Sequence, residues 1–135
     1  MTPGSVFFDQ QFSFHDGESG EKLFVILGWD NGIAIVAKTT SQQHGRGTTF
    51  GCQPKDRFHN FYLPQNSCYF RKCTWVCLDE FYELNAVEVL QKRFSGLINP
   101  VCNLTNEMLR KLQDCALESD DLSGRQESII RSSLV

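Results

Sequence analysis

The rhythm of apolar and polar positions changes near residue 84. Up to Leu84 the apolar residues come in short runs separated by polar, glycine-bearing loops, as strands require; beyond it they recur at three- and four-residue spacing, as helices require. Residues 5–9 (SVFFD) predict a first strand after Pro3-Gly4, and a polar loop through His15, Asp16, Gly17 and Gly20 follows. Residues 22–27 (KLFVIL) are apolar on both faces, as a central barrel strand would be. Gly28-Trp29-Asp30-Asn31-Gly32 carries the Asn-Gly hairpin signal, and residues 33–38 form the return strand. A second polar loop starts at Thr39-Thr40-Ser41 and runs through His44, Arg46 and Gly47. Residues 58–63 predict a strand stopped by Pro64, residues 68–72 a short edge strand, and residues 74–78 (TWVCL) a further strand.

The helical part is marked by its caps. Asn85 followed by Glu88 reads as a capping box opening a helix that stops at Gly96. Thr105 opens a second helix, with Met108, Leu109, Leu112, Cys115 and Ala116 on one face. Ser123 with Gln126 opens a third, carrying Ile129, Ile130 and Leu134. Strands followed by helices predict a mainly β fold with C-terminal helices. It is one domain over residues 1–135, with a small, partly open β-barrel in 1–84 and helices in 85–135.

Composition adds little to the fold but narrows the function. Eleven Phe among 135 residues suit a small barrel filled with rings, and a formal charge of −3 excludes a strongly basic nucleic-acid coat without excluding a local basic groove. No apolar run approaches the ~18 residues of a membrane span. Nor does the N-terminus resemble a secretory signal. The expectation is a cytoplasmic protein with no membrane partner and with reduced thiols. On that premise the six cysteines, Cys52, Cys68, Cys73, Cys77, Cys102 and Cys115, read chiefly as small core residues, with Cys73, Trp75 and Cys77 on one strand face. A zinc site from His59, Cys68, Cys73 and Cys77 is the weaker alternative, because its spacing fits no structural-zinc pattern.

Phosphate-loop, dinucleotide, zinc-protease and serine-hydrolase motifs do not occur in the sequence. The candidate chemistry lies at the open end of the hairpin. Lys22 stands six residues before Gly28, and Lys38 and Thr40 stand about as far beyond Gly32. Pairing of the two strands places Lys22 close to Lys38, Thr39 and Thr40. Cationic donors and hydroxyls together hold a phosphodiester and stabilise the charge that builds when it is attacked. Ser41, His44 and Arg46 extend this group into a glycine-bearing loop, the kind of segment that carries function. Trp29, at the hairpin tip and therefore exposed, is placed to stack on a base, to cover a partner surface or to cap the barrel end. His15 and His59 read as surface or packed side chains.

Several of these segments resemble the MazF/PemK-like toxins, which share an SH3-like barrel with CcdB-type toxins. Pro3-Gly4-Ser5-Val6 is similar to the family's opening strand, and residues 20–27 (GEKLFVIL) to its G-x-R-P-x-x-V entry into the second strand. Residues 36–42 (VAKTTSQ) resemble the strand end bearing a catalytic Thr or Ser. Residues 74–81 (TWVCLDEF) resemble the late strand, and residues 104–109 (LTNEML) the start of the C-terminal helix. The resemblance spans residues 3–117. It implies the toxin of a type II toxin–antitoxin system: a metal-independent endoribonuclease that needs no cofactor and cleaves single-stranded RNA through attack by its 2′-hydroxyl. By position, Lys22 and Thr40 are then catalytic, and Lys38, Thr39, Ser41, His44, Arg46 and Trp29 bind RNA, with Lys55 and Arg57 adding positive charge. His44 would act as base if its loop folds over the site. Lys22 departs from the family, which has Arg there; an ammonium is a point charge where a guanidinium is a two-pronged donor. The resemblance further implies a cognate antitoxin protein and a homodimer, for which the apolar face Met108/Leu112/Ile129 is the expected surface. The alternative is a non-catalytic barrel that binds a protein target, as CcdB-type toxins do.

Overall fold

A computed structural model describes residues 1–54, 56–67 and 70–135 of the chain. Among the described residues, eight antiparallel strands form one open sheet: β1 (Ser5–Ser13), β2 (Ser19–Asp30), β3 (Ile33–Thr40), β4 (Gly51–Gln53), β5 (Asn60–Leu63), β6 (Thr74–Cys77), β7 (Tyr82–Asn85) and β8 (Ile98–Asn103). Three helices accompany them: α1 (Ala86–Phe94), α2 (Asn106–Leu117) and α3 (Gly124–Ser132). The strand order is β4-β5-β6-β3-β2-β1-β8, with β7 also on β3. The fold is thus mainly β with helices.

The β2–β3 hairpin is the centre of the sheet. Its turn is Asn31-Gly32 alone, both with positive φ (51° and 77°), and the flanking Asp30 and Ile33 already pair. Primed two-residue turns match the right-handed twist of the strands, which is why Asn-Gly is preferred there. The ladder then shifts by one residue between Ile26 and Gly28, and from there Ile26 faces Val36, Val25 faces Ala37 and Phe24 faces Lys38. Alternation puts Val25, Leu27, Ile35 and Ala37 on one side of the sheet and Phe24, Ile26, Ala34 and Val36 on the other. Both sides are buried, as the two-faced apolar run predicts. The first side packs against α2 and α3 through Leu109, Leu112, Ile129 and Ile130; the second packs against Phe7, Phe12, Tyr82, Ile98 and Val89 of α1.

β3 has a divided second edge. Its first half, Ile33–Val36, pairs with β7, while Thr39 and Thr40 pair with Val76 and Trp75 of β6. The chain crosses between these two partners through Leu78-Asp79-Glu80-Phe81. This crossing brings Glu80 beside Lys38.

Several expectations need correction. The region after residue 84 is not purely helical: β8 lies between α1 and α2 and pairs with β1. Its sequence, INPVCN, holds a proline and two asparagines and is half exposed, so it shows no strand alternation. The short β4 was also not predicted. The expected edge strand at 68–72 falls partly outside the described residues, and its described part, Phe70–Lys72, is not strand. The helix starts hold: Asn85 accepts from the Val87 and Glu88 amides, Thr105 from Met108, and Ser123 forms a full capping box with Gln126. The face Met108/Leu112/Ile129 packs on the chain's own sheet, Leu112 being fully buried. It is therefore not a surface held open for a second copy.

Cys52 and Cys115 form a disulfide, against the expectation of core thiols; Cys73 and Cys77 are free, and Cys77 is buried. The bond joins β4 to α2 across 63 residues of sequence, a distance over which spacing carries no signal. Cys68 lies outside the described residues. No helix among the described residues is long and apolar enough to cross a membrane.

Gly28 is the point where α3 touches the sheet. A Cβ there would lie 3.0 Å from Ile130 Cα and 3.1 Å from the Ile129 carbonyl oxygen, both backbone atoms. Gly28→Ala should therefore push α3 off β2 and destabilise the fold by about 1–3 kcal/mol, read as a lower urea midpoint at unchanged m-value.

Candidate functional site

The β2–β3 ladder ends at Phe24 opposite Lys38; the same alignment carried two residues further brings Lys22 toward Thr40, and the two line one cavity. Opposed residues share a face. Lys38, two residues from Thr40, lies on the same face, as do Trp75 across from Thr40 and, two residues along β6, Cys77. The resulting strip carries three cations, because Arg46 from the β3–β4 loop reaches Cys77 Sγ at 3.8 Å. Lys22 is half-buried. Burial holds its pKa below the ordinary lysine value, and Lys38 and Arg46 push the same way against the opposing pull of Cys77. Burial raises the Cys77 thiol, outweighing the pull of Arg46, Lys38 and Lys22. The thiol is thus a neutral neighbour of the strip.

Arg46 is held by several contacts. It donates to the Gln42 and Gln43 carbonyl oxygens (3.4 Å each) and its guanidinium lies over the Phe58 ring at 5.4 Å. Its Nε is buried with no hydrogen-bond partner among the described residues. The adjacent Gly47 is fixed on both sides: its amide donates to Asp56 Oδ2 (2.8 Å), and its carbonyl accepts from Trp75 Nε1 (2.8 Å). Buried Asn60 completes this support, bonding Asp56 at 3.0 Å and Gln53 at 2.6 Å.

Other predicted members fall differently. Thr39 points to the opposite side, is buried, and donates its hydroxyl to the Leu23 carbonyl at 3.0 Å. Ser41 is exposed and, with Lys22, Thr39, Thr40 and Thr74, borders a cavity of about 230 Å³ at the open end of the hairpin. His44 is exposed, in a positive-φ turn, with Nε2 2.9 Å from Gln42 Oε1; its loop meets the strip through Arg46 and Gly47. Trp29 is not an exposed tip. It lies inside β2, half-buried against the Phe7/Phe12 core, with its amide bound to Ser133 Oγ. Seven residues of strand put it about 23 Å from Lys22. Arg57 lies over Phe58 (5.2 Å), and Lys55 lies outside the described residues.

Sequence reasoning passed over a second cluster that borders the strip. Glu80 Oε1 lies 2.8 Å from His15 Nδ1, and Glu80 Oε2 lies 3.5 Å from Lys38 Nζ. The Tyr82 hydroxyl also donates to Glu80 Oε1, and the His15 ring lies tilted against the Tyr82 ring with centroids 4.1 Å apart. Burial acts to raise the Glu80 carboxyl, but the Tyr82 hydroxyl, Lys38 and His15 outweigh it and hold its pKa below the usual value. Burial, then the bond to Glu80, drives the Tyr82 phenol well above its ordinary range. A carboxylate on His15 Nδ1 orients the ring and leaves Nε2 as its working atom. The one local signal was that Glu80 and Tyr82 stand two apart, on one face of an extended chain; their partners come from residues 15 and 38, which no local pattern reveals.

Comparison with protein-family models and with curated proteins finds no match to the chain.

Because the Glu80 pKa is lowered in the folded state, its ion pairs add stability above pH 4.5, the ordinary value, and lose it as pH falls through the folded value. Glu80→Gln should cost about 1–2 kcal/mol at pH 7. In urea titrations the gap to the native chain should close below pH 4.5; a constant gap would show that the charge contributes nothing.

Proposed function

We propose that the protein is a metal-independent endoribonuclease of the MazF/PemK-like kind, built on an SH3-like, partly open barrel and serving as the toxin of a type II toxin–antitoxin pair in the cytoplasm. The observation that carries this reading is that Lys22 and Thr40 border one cavity at the open end of the hairpin, with Lys38 and Arg46 adding positive charge to Lys22's surroundings. Such a strip attracts a phosphodiester and stabilises the extra charge of a five-coordinate phosphorane.

In this reading His15 Nε2 takes the proton from the ribose 2′-hydroxyl, with Glu80 holding the ring. The 2′-oxygen attacks phosphorus, the bond to the 5′-oxygen breaks, and Lys22 gives that oxygen a proton. The products are a 2′,3′-cyclic phosphate and a free 5′-hydroxyl. A lysine with a lowered pKa parts with its proton more readily than an ordinary one. Thr40 Oγ1 already accepts the Gln42 amide at 3.1 Å, so its own hydrogen is available to a non-bridging phosphate oxygen. Single-stranded RNA is the substrate that can bend its 2′-hydroxyl into line with the leaving oxygen. The same reading includes an antitoxin protein over the strip and a homodimer. Exposed Val87, Leu90 and Phe94 on α1 supply apolar surface for a second copy.

The second reading, a barrel that binds a protein target without cutting RNA, is favoured by the ammonium at Lys22 in place of a guanidinium and by the acidic Asp16, Glu18 and Glu21 that precede it along the chain.

Purified protein with single-stranded RNA and EDTA should yield cyclic-phosphate ends. Lys22→Ala should lower the rate by about 10²-fold or more, and His15→Gln by a similar factor, with unchanged circular dichroism. Thr40→Val should cost about tenfold. RNA left intact at a large excess of protein overturns the nuclease reading in favour of the binding one.

A further inference from the structure

Cys52, His59 and Cys115 lie on the opposite side of the sheet from the cationic strip, where α2 crosses the β4–β5 ribbon. Their ligand atoms, two sulfurs and a ring nitrogen, all lie within 4.8 Å of one another. Cys115 Sγ is 3.6 Å from His59 Nε2, and Cys52 Sγ is 3.6 Å from Glu118 Oε2. In a tetrahedral zinc site, with Zn–S about 2.3 Å and Zn–N or Zn–O about 2.0 Å, sulfur and its N or O neighbours stand about 3.5–3.6 Å apart. Two of the needed edges therefore exist already. The sulfur–sulfur edge is too short, because the cysteines are joined, and Glu118, which stands outside the group of three, turns its carboxylate inward to complete the set.

From this arrangement we infer a second state of the same four residues: with the disulfide reduced, Cys52, Cys115 and His59 bind a thiophilic divalent cation of the zinc class, and Glu118 supplies the fourth ligand. The chemistry balances with a dithiol as reductant. Its thiolate attacks Cys52 Sγ, the half-exposed sulfur, and the electron pair of the broken bond goes to Cys115 Sγ. The second thiol of the reductant then displaces Cys52 as thiolate and leaves as a cyclic disulfide. The cation captures both protein thiolates in place of protons. His59 Nε2 now lies 2.6 Å from the Cys115 carbonyl oxygen and donates to it. Metal binding requires the other tautomer, with the proton on Nδ1 and a small rotation of the ring.

Access and charge both suit the exchange. A cavity of about 360 Å³ is lined by Cys52, Cys115 and Glu118, so reductant and cation reach the sulfurs from solvent. Lys111 lines the same cavity and offsets the negative charge left by two thiolates and a carboxylate around one dication. The ligands come from β4, from the residue preceding β5, and from α2, so the cation ties together the same elements that the disulfide ties. The fold then keeps its staple under oxidising and reducing conditions alike. This set is distinct from the cluster His59, Cys68, Cys73 and Cys77 considered from sequence.

Protein reduced with a trialkylphosphine, freed of it without air, and titrated with cobalt(II) should take up one equivalent. Thiolate-to-cobalt charge-transfer bands and intense tetrahedral ligand-field bands should appear, and zinc should abolish them. The oxidised protein should show neither. His59→Ala should weaken cobalt binding more than about tenfold, since even outer-shell partners are worth that much. Cys52→Ser should remove the charge-transfer intensity of one thiolate. Cys68→Ser and Cys73→Ser, at cysteines outside the set, should leave the spectrum unchanged. No tetrahedral spectrum in the reduced protein, equal binding by the oxidised protein, or indifference to His59→Ala overturns the inference. So does a reduced chain that stays unfolded by circular dichroism in the presence of cobalt.

Discussion

The alignment of β2 with β3 governs what the rest of the molecule can do. A two-residue Asn-Gly turn starts the ladder with Asp30 opposite Ile33, and a one-residue shift before Gly28 resets it. Without that shift the same ladder would carry Lys22 opposite Ser41 instead of Thr40. Because strand side chains alternate, a slip of one would also exchange the buried Thr39 for its neighbour. The irregularity sits where α3 lies against Gly28, so helix packing and strand alignment are parts of one constraint. The ammonium–hydroxyl pair at the open end depends on a close contact at the other.

The second organising fact is the divided edge of β3. One strand serves β7 along its first half and β6 along its last two residues, and the crossing between them delivers Glu80 to Lys38 and His15. The carboxylate is held ionised there by a phenol and two basic side chains. The imidazole and Lys38 are thus linked through one carboxylate, from three separate parts of the chain, and Lys38 stands on the strand that also bears Thr40.

What the sequence makes legible is local. Asn31-Gly32, the caps at Asn85, Thr105 and Ser123, and the two-faced run of β2 each express a preference within a few residues, and each is realised. The convergence of Lys22, Lys38 and Thr40 was legible for the same reason, since counting from a turn is a local operation. Strand β8 was missed because an exposed edge holding Pro100 and Asn99 needs only backbone pairing with β1. Trp29 was misplaced because the turn is shorter than the glycines at 28 and 32 suggest. The Cys52–Cys115 bond leaves no trace in the sequence, because its ends lie 63 residues apart and the expectation of reduced thiols rests on compartment alone. The His15–Glu80 contact joins residues 65 positions apart and leaves no periodic trace.

The narrow junction of β6 with β3 also has a mechanical side. Among the described residues, the leaf formed by β4, β5 and β6 pairs with the main sheet at two residues of β3, with the sulfur bridge to α2 on its far side. Arg46 travels with this leaf, through Cys77 and Phe58, whereas Lys22 and Lys38 belong to the main sheet. Phe61, Leu63 and Val76 of the leaf share one buried core with Val25 and Ala37 of the main sheet and with Leu109 and Leu112 of α2, so the fit of apolar side chains beneath the sheet sets how closely the guanidinium approaches the two ammonium groups above it.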